Sequence, residues 1–165
     1  MTGETAPDQA PEQTPPPRLC YACGTQNEQG LHMQFRLDGD RTVCDYTPCD
    51  FQQGYPGRMH GGVVSALIDE TMGWAVYHAA RWGATARLNV RFRQPVYLDR
   101  PLRIEAWIVK DRHRLIELRS EIRDESGALL VEGDGTFMRL DGRIADEMSD
   151  LARRSGRADA PEVVP

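Results

Sequence analysis

The sequence predicts an α+β fold in which a curved antiparallel sheet wraps around one long central helix. Apolar residues recur at helical spacing over a long stretch only once, from Gly61 to about Ala80, with no proline inside. Alternation of period two flanks that stretch on both sides. A lone helix among strands must bury its apolar side against the sheet, which makes a two-layer arrangement.

The elements follow in order. Residues 1–17 hold five prolines, no aromatic residue and almost no large aliphatic one, so they read as a disordered leader. Leu31 to Leu37 alternates, Thr42 to Thr47 can pair with it, and Asp38-Gly39-Asp40 supplies the turn. Cys49 to Met59, carrying Gly54, Pro56 and Gly57, reads as a loop. In the helix, Val64, Leu67, Ile68, Met72, Ala75 and Val76 form the apolar stripe. Period two then returns in Leu88-Val90-Phe92, in Leu102 to Ile108, in Leu115 to Ile122 and in Leu129 to Leu140. The domain is expected to span 18–140. Residues 141–165 form a polar tail in which IADEMSDLARR can make a short helix.

Charge narrows the function. The chain has 165 residues and a formal charge of −5. The leader holds three acids and no base, and residues 141–165 hold six acids and four bases, so the body carries 16 of each. A nucleic-acid partner would call for a basic excess. No apolar run is long enough to span a bilayer, and the first residues lack the pattern of a secretory signal. The expectation is a cytoplasmic protein with neither a nucleic-acid nor a membrane partner.

The chemistry concentrates in Arg58-Met59-His60-Gly61-Gly62 and the helix that follows. Two glycines at a helix start allow close approach, and the first turn leaves N–H donors at the positive end of the helix dipole. Such donors can hold a developing oxyanion. Asp69 lies two turns further on, among small and apolar helical neighbours. A carboxylate there needs a partner or a task; capping a loop, or pairing with an arginine across a dimer, would also satisfy it. Gly61 and Asp69 stand about 12 Å apart along an ideal helix. Catalytic contacts need about 3 Å, so one carbonyl cannot meet both groups of the same helix. If both act on one substrate, they come from two subunits.

These residues resemble the hotdog-fold acyl-CoA thioesterases, in particular the group related to the phenylacetate-pathway thioesterase. The likeness rests on His60-Gly61-Gly62 with Asp69 nine positions after the histidine, and on Leu88-Asn89-Val90-Arg91-Phe92-Arg93-Gln94-Pro95-Val96 as the strand after the helix. Cys20-Tyr21-Ala22-Cys23-Gly24 with Gly30-Leu31 resembles a leader of some members. The resemblance implies hydrolysis of an acyl- or aryl-CoA thioester to the free acid and coenzyme A, with no metal or redox cofactor, in a homodimer or a dimer of dimers. It assigns Asp69 as general base or nucleophile, the Gly61 N–H as carbonyl polariser, Thr85 as orienter, and His60 as a shaper of the loop or the thioester site. Gly62, Gln53, Glu70, Asn89, Arg91 and Arg93 become substrate contacts. One departure is Gly54, where several relatives carry an amide residue, with Gln52 and Gln53 just upstream.

Two other readings compete. One is an acyl-thioester hydratase or dehydratase. The other is a non-catalytic module that binds acyl-CoA or a small aromatic ligand. Cys20, Cys23, Cys44 and Cys49 could form a zinc set, but Cys44 lies inside a strand pattern, and buried free thiols are the expectation. Arg87, Arg91 and Arg93 either meet coenzyme A phosphates or make a solvated strand face. Trp74 and Trp82 either line an acyl pocket or pack the core.

Overall fold

In a computed structural model of the chain, residues 19–154 are described. The strands are β1 (Arg36–Asp38), β2 (Arg41–Tyr46), β3 (Trp82–Phe92), β4 (Leu102–Asp111), β5 (Leu115–Asp124) and β6 (Leu129–Leu140). They form one antiparallel sheet in the order β1-β2-β4-β5-β6-β3. Helix α1 (Gly61–His78) lies against the sheet, and α2 (Gly142–Arg154) follows β6. The leader lies outside the described residues.

The central helix is held by shape. Leu67, Ile68 and Met72 are wholly buried on α1. Ile68 and Met72 face a hollow in β6 made by two glycines. A Cβ on Gly133 would come within 2.7 Å of Ile68 Cγ2, and one on Gly135 would collide with Met72 Sδ. Ile104, Ile116, Ile122 and Val131 close the same core from the sheet. Interiors pack at crystal-like density, so the missing side chains in β6 are filled by the helix.

The hairpin differs from its expectation. Leu31, Met33 and Phe35 are buried and their neighbours exposed, as the alternation requires, but β1 has only three residues. The backbone explains this. The N–H groups of Leu31 and Met33 donate to the carbonyls of Tyr21 and Ala22 at 2.8 and 2.9 Å. They are spent on the Cys20–Gly24 turn instead of on a sheet ladder. The tail helix forms over Gly142–Arg154, and Ala145, Ser149 and Ala152 are buried. Trp82 Nε1–H donates to Ser149 Oγ at 2.9 Å, tying α2 to the start of β3.

The two sheet edges are unlike. β1 is short and carries charge, with Arg36 paired to Asp45 of β2. β3 has eleven residues, and most of them are exposed. No helix among the described residues is long and apolar enough to cross a membrane.

Candidate active site

The site begins at the N-terminus of α1. His60 is the N-cap, in extended conformation at φ −65° and ψ 132°. Its Nδ1 accepts from the Gly62 N–H at 3.0 Å, so the ring hydrogen sits on Nε2. The His60 carbonyl takes the N–H groups of Val63 and Val64. Among the first-turn donors this leaves the Gly61 N–H without an intramolecular acceptor among the described residues. Gly61 is exposed. It lies on an open cleft of about 340 Å³ whose walls include Tyr55, Met59, Val64, Phe92 and Val96, with Arg58 and Arg93 beside them.

The carboxylate stands two turns along the helix. Thr85 Oγ1–H donates to Asp69 Oδ1 at 2.7 Å, joining α1 to β3 across sixteen residues of chain. The register of β3 on β6 shifts between Thr85 and Arg87. Such a bulge turns a side chain to a new angle next to the irregularity. Thr85 is exposed and Asp69 half-buried, so the second Asp69 oxygen has room for a water.

The other sequence candidates divide. Gly62 spends its N–H on His60, and so serves the cap. Gln53 accepts from the Gly57 N–H at 2.8 Å, and Gln52 bonds Tyr46 and the Cys49 N–H, so both amides brace the loop. At Gly54 a Cβ would stand 3.0 Å from His60 Cα, so a side chain there would push on the N-cap. Arg93 makes a two-pronged pair with Glu132 at 2.7 and 2.9 Å, and Arg91 approaches the same carboxylate at 3.5 Å. One acid thus faces two guanidinium groups. Asn89 is exposed opposite Asp134 in the register. Trp74 is buried and stacks on Phe35, while Trp82 meets Tyr77 edge-on. Both pack aromatic neighbours rather than line the cleft.

Glu70 departs furthest from the sequence reading. It points away from the Asp69–Thr85 pair, accepting from Trp74 Nε1–H at 3.1 Å and from the Cys20 thiol at 3.7 Å. Burial pushes its carboxyl up to about 7. The Cys23 thiol, donating to the Cys20 sulfur, holds Cys20 down at about 5, and that same bond raises Cys23. Successive residues of a helix stand about 100° apart, so Glu70 faces a different side from Asp69. The signal for its true neighbours was the Cys-x-x-Cys pair, which only folding brings there.

The Thioesterase superfamily profile matches residues 56–131, which include the cap, the whole of α1 and β3. The chain carries a hotdog-fold domain of the thioesterase superfamily. Acyl-coenzyme A thioesterase THEM4 of Bos taurus is 32% identical over 119 residues, covering 69% of this chain and 49% of the relative. The chain thus matches about half the length of that curated relative. The crystal structure of thioesterase superfamily protein RHA08564 superposes with a TM-score of 0.70 at 28% identity, over 73% of this chain and 60% of that one. A hypothetical thioesterase of Streptococcus pneumoniae TIGR4, solved with coenzyme A, gives a TM-score of 0.62 at 18% identity, over 65% of this chain and 87% of that one. That protein has also been solved as alanine mutants of an aspartate and of a threonine sixteen positions apart.

Proposed function

We propose that the thioesterase-superfamily domain hydrolyses acyl-CoA thioesters at a site shared by two copies of the chain. The observation that carries this is the Thr85–Asp69 hydrogen bond at 2.7 Å on an exposed face, on the same helix as an N–H donor with no internal acceptor among the described residues. The sixteen-residue spacing of the mutated aspartate and threonine in the pneumococcal thioesterase supports it. Thr85 holds Oδ1, which leaves Oδ2 to take a proton from water. The water oxygen bonds to the thioester carbon, and the oxyanion forms against the Gly61 N–H of the facing copy. Collapse breaks the C–S bond, and coenzyme A leaves as the thiolate. His60 keeps Gly61 available by occupying Gly62. The cleft falls within the usual size range of a small-molecule site and offers apolar walls to the acyl or pantetheine chain. Arg58, Arg91 and Arg93 supply positive charge for the phosphates.

The pairing of copies rests on the β3 edge. A long exposed edge strand invites another strand, and its short, charged counterpart at β1 does not. The four free thiols support a reducing compartment, the cytoplasm.

The test is thiol release from a panel of alkyl- and aryl-CoA thioesters. Wild-type release should collapse in Asp69→Ala and in Gly61→Pro. Equal mixing of the two inactive variants, followed by exchange of subunits, should restore about a quarter of the wild-type rate, because a mixed dimer keeps one intact site. Binding of coenzyme A conjugates without release would replace the hydrolase reading with a binding module. Loss of thiol absorbance in favour of an enoyl or hydroxyacyl thioester would indicate the hydratase class.

A further inference from the structure

We propose that Cys20, Cys23 and Glu70 form a zinc-binding site on the face of α1 turned away from Asp69. The two sulfurs and a carboxylate oxygen all lie within 4.8 Å of one another. Cys20 Sγ and Glu70 Oε1 are 3.7 Å apart. Two ligands on tetrahedral zinc, at about 2.3 Å for sulfur and 2.1 Å for oxygen, stand about 3.6 Å from each other. One ion can therefore reach these atoms with small rotations of the side chains.

The surroundings are arranged for such an ion. The turn Cys20-Tyr21-Ala22-Cys23-Gly24 closes with Gly24 N–H on the Cys20 carbonyl at 2.9 Å. Cys23 is fully buried. Trp74 Nε1–H donates to Glu70 Oε1, the oxygen that also faces Cys20, and fixes the carboxylate as an outer-layer contact orients a metal ligand. The Leu31 and Met33 N–H groups bond the turn's own carbonyls, anchoring it to the core. Chemistry selects the ion. Thiolates are poor ligands for calcium or magnesium, and two sulfurs with one oxygen suit zinc. Binding transfers the remaining ligand protons to solvent, and three anionic donors leave the site with a net charge of −1. The fourth tetrahedral position falls to water or an added thiol. Cys44 and Cys49 take no part: Cys44 is buried in β2, and Cys49 lies exposed before the loop at Asp50–Gln52. The alternative set of four cysteines gives way to two cysteines and a carboxylate from the helix.

The experiment uses the full chain, reduced and stripped of metal, titrated with zinc against a chromophoric chelator. One zinc per chain is expected. Cys23→Ser should weaken binding at least about 100-fold, and Glu70→Gln about 10- to 100-fold. Cys44→Ser and Cys49→Ser should leave stoichiometry and affinity unchanged. Cobalt added to the wild type should give thiolate-to-metal charge-transfer bands with the ligand-field bands of tetrahedral coordination, a readout that needs no variant to fold. A reduced wild type lacking those bands overturns the proposal. So does zinc binding that survives in folded Cys20→Ser/Cys23→Ser.

Discussion

Gly61→Pro separates a donor from a fold. The substitution removes one N–H and adds a ring. Gly61 is the first residue of α1, where proline is favoured because that N–H lacks a helical acceptor. Proline also restricts the residue before it to extended conformations, and His60 already sits at ψ 132°. A Cβ at Gly61 meets only the Phe92 ring, at 3.5 Å, an ordinary contact. The fold should therefore keep its stability or gain about 0.4–1 kcal/mol from a stiffer unfolded chain. The chemistry should not escape so lightly. Loss of a single oxyanion donor costs about 100- to 1,000-fold in kcat, or about 2.7–4 kcal/mol at the transition state. The assay pairs thermal melting with thiol release at saturating thioester. The variant should show an unchanged or raised Tm and a kcat lower by about two to three decades, with little change in KM. An active Gly61→Pro enzyme would remove the Gly61 N–H from the mechanism. A Gly61→Pro chain that fails to fold would refute the placement of Gly61 as a helix start with an unused donor.

Three further outcomes follow from the same structure. Thr85→Ala removes a hydrogen bond to a charged acceptor and should lower kcat about 10- to 100-fold, with Thr85→Ser restoring most of it; equal rates for all three forms would exclude Thr85 as the orienter of Asp69. Gly133→Ala drives a methyl group against Ile68 and should cost about 1–3 kcal/mol in urea unfolding, where a neutral result would show that β6 does not shape the seat of α1. Burial pushes the Cys44 thiol up to about 12, so at pH 8 about one molecule in ten thousand carries the thiolate. Iodoacetamide should therefore label exposed Cys49 while leaving Cys44 unmodified in the native chain, as read by peptide mass spectrometry.

Local patterns were legible where burial repeats at a fixed period. The α1 stripe and strands β4 to β6 follow directly from spacing, because each buries one face against a shared core, whereas β3 only half-buries Leu88 and Val90 and leaves Phe92 exposed. Spacing does not report where backbone donors go. The residues before β1 alternate like a strand but bond to the cysteine turn, and no property of Leu31 or Met33 announces that. The site shows the same division. His60, Gly61 and Asp69 stand out as residue types that fit poorly in a plain helix, and the family resemblance supplied Thr85. Glu70 illustrates the limit: its helical angle separates it from Asp69, but its partners lie fifty residues earlier in the chain. Gly54 reads as a lost amide in the sequence, and in the fold it is the space that lets the loop pass His60.

The glycine hollow of β6 bears on Asp69 without touching it. Ile68 precedes Asp69 and Met72 follows one turn later, and both side chains are keyed into Gly133 and Gly135. A helix locked at these two points cannot slide along its axis or roll by a single residue without driving a side chain into backbone. The azimuth of the carboxylate is thereby set from an adjacent face of the helix, about 60° to 100° round from it, by two positions that contribute no atoms beyond the main chain. Substrate preference can then drift through the cleft walls at Tyr55, Phe92 and Val96 while the distance between carboxylate and threonine stays fixed, because separate parts of the sequence govern the two.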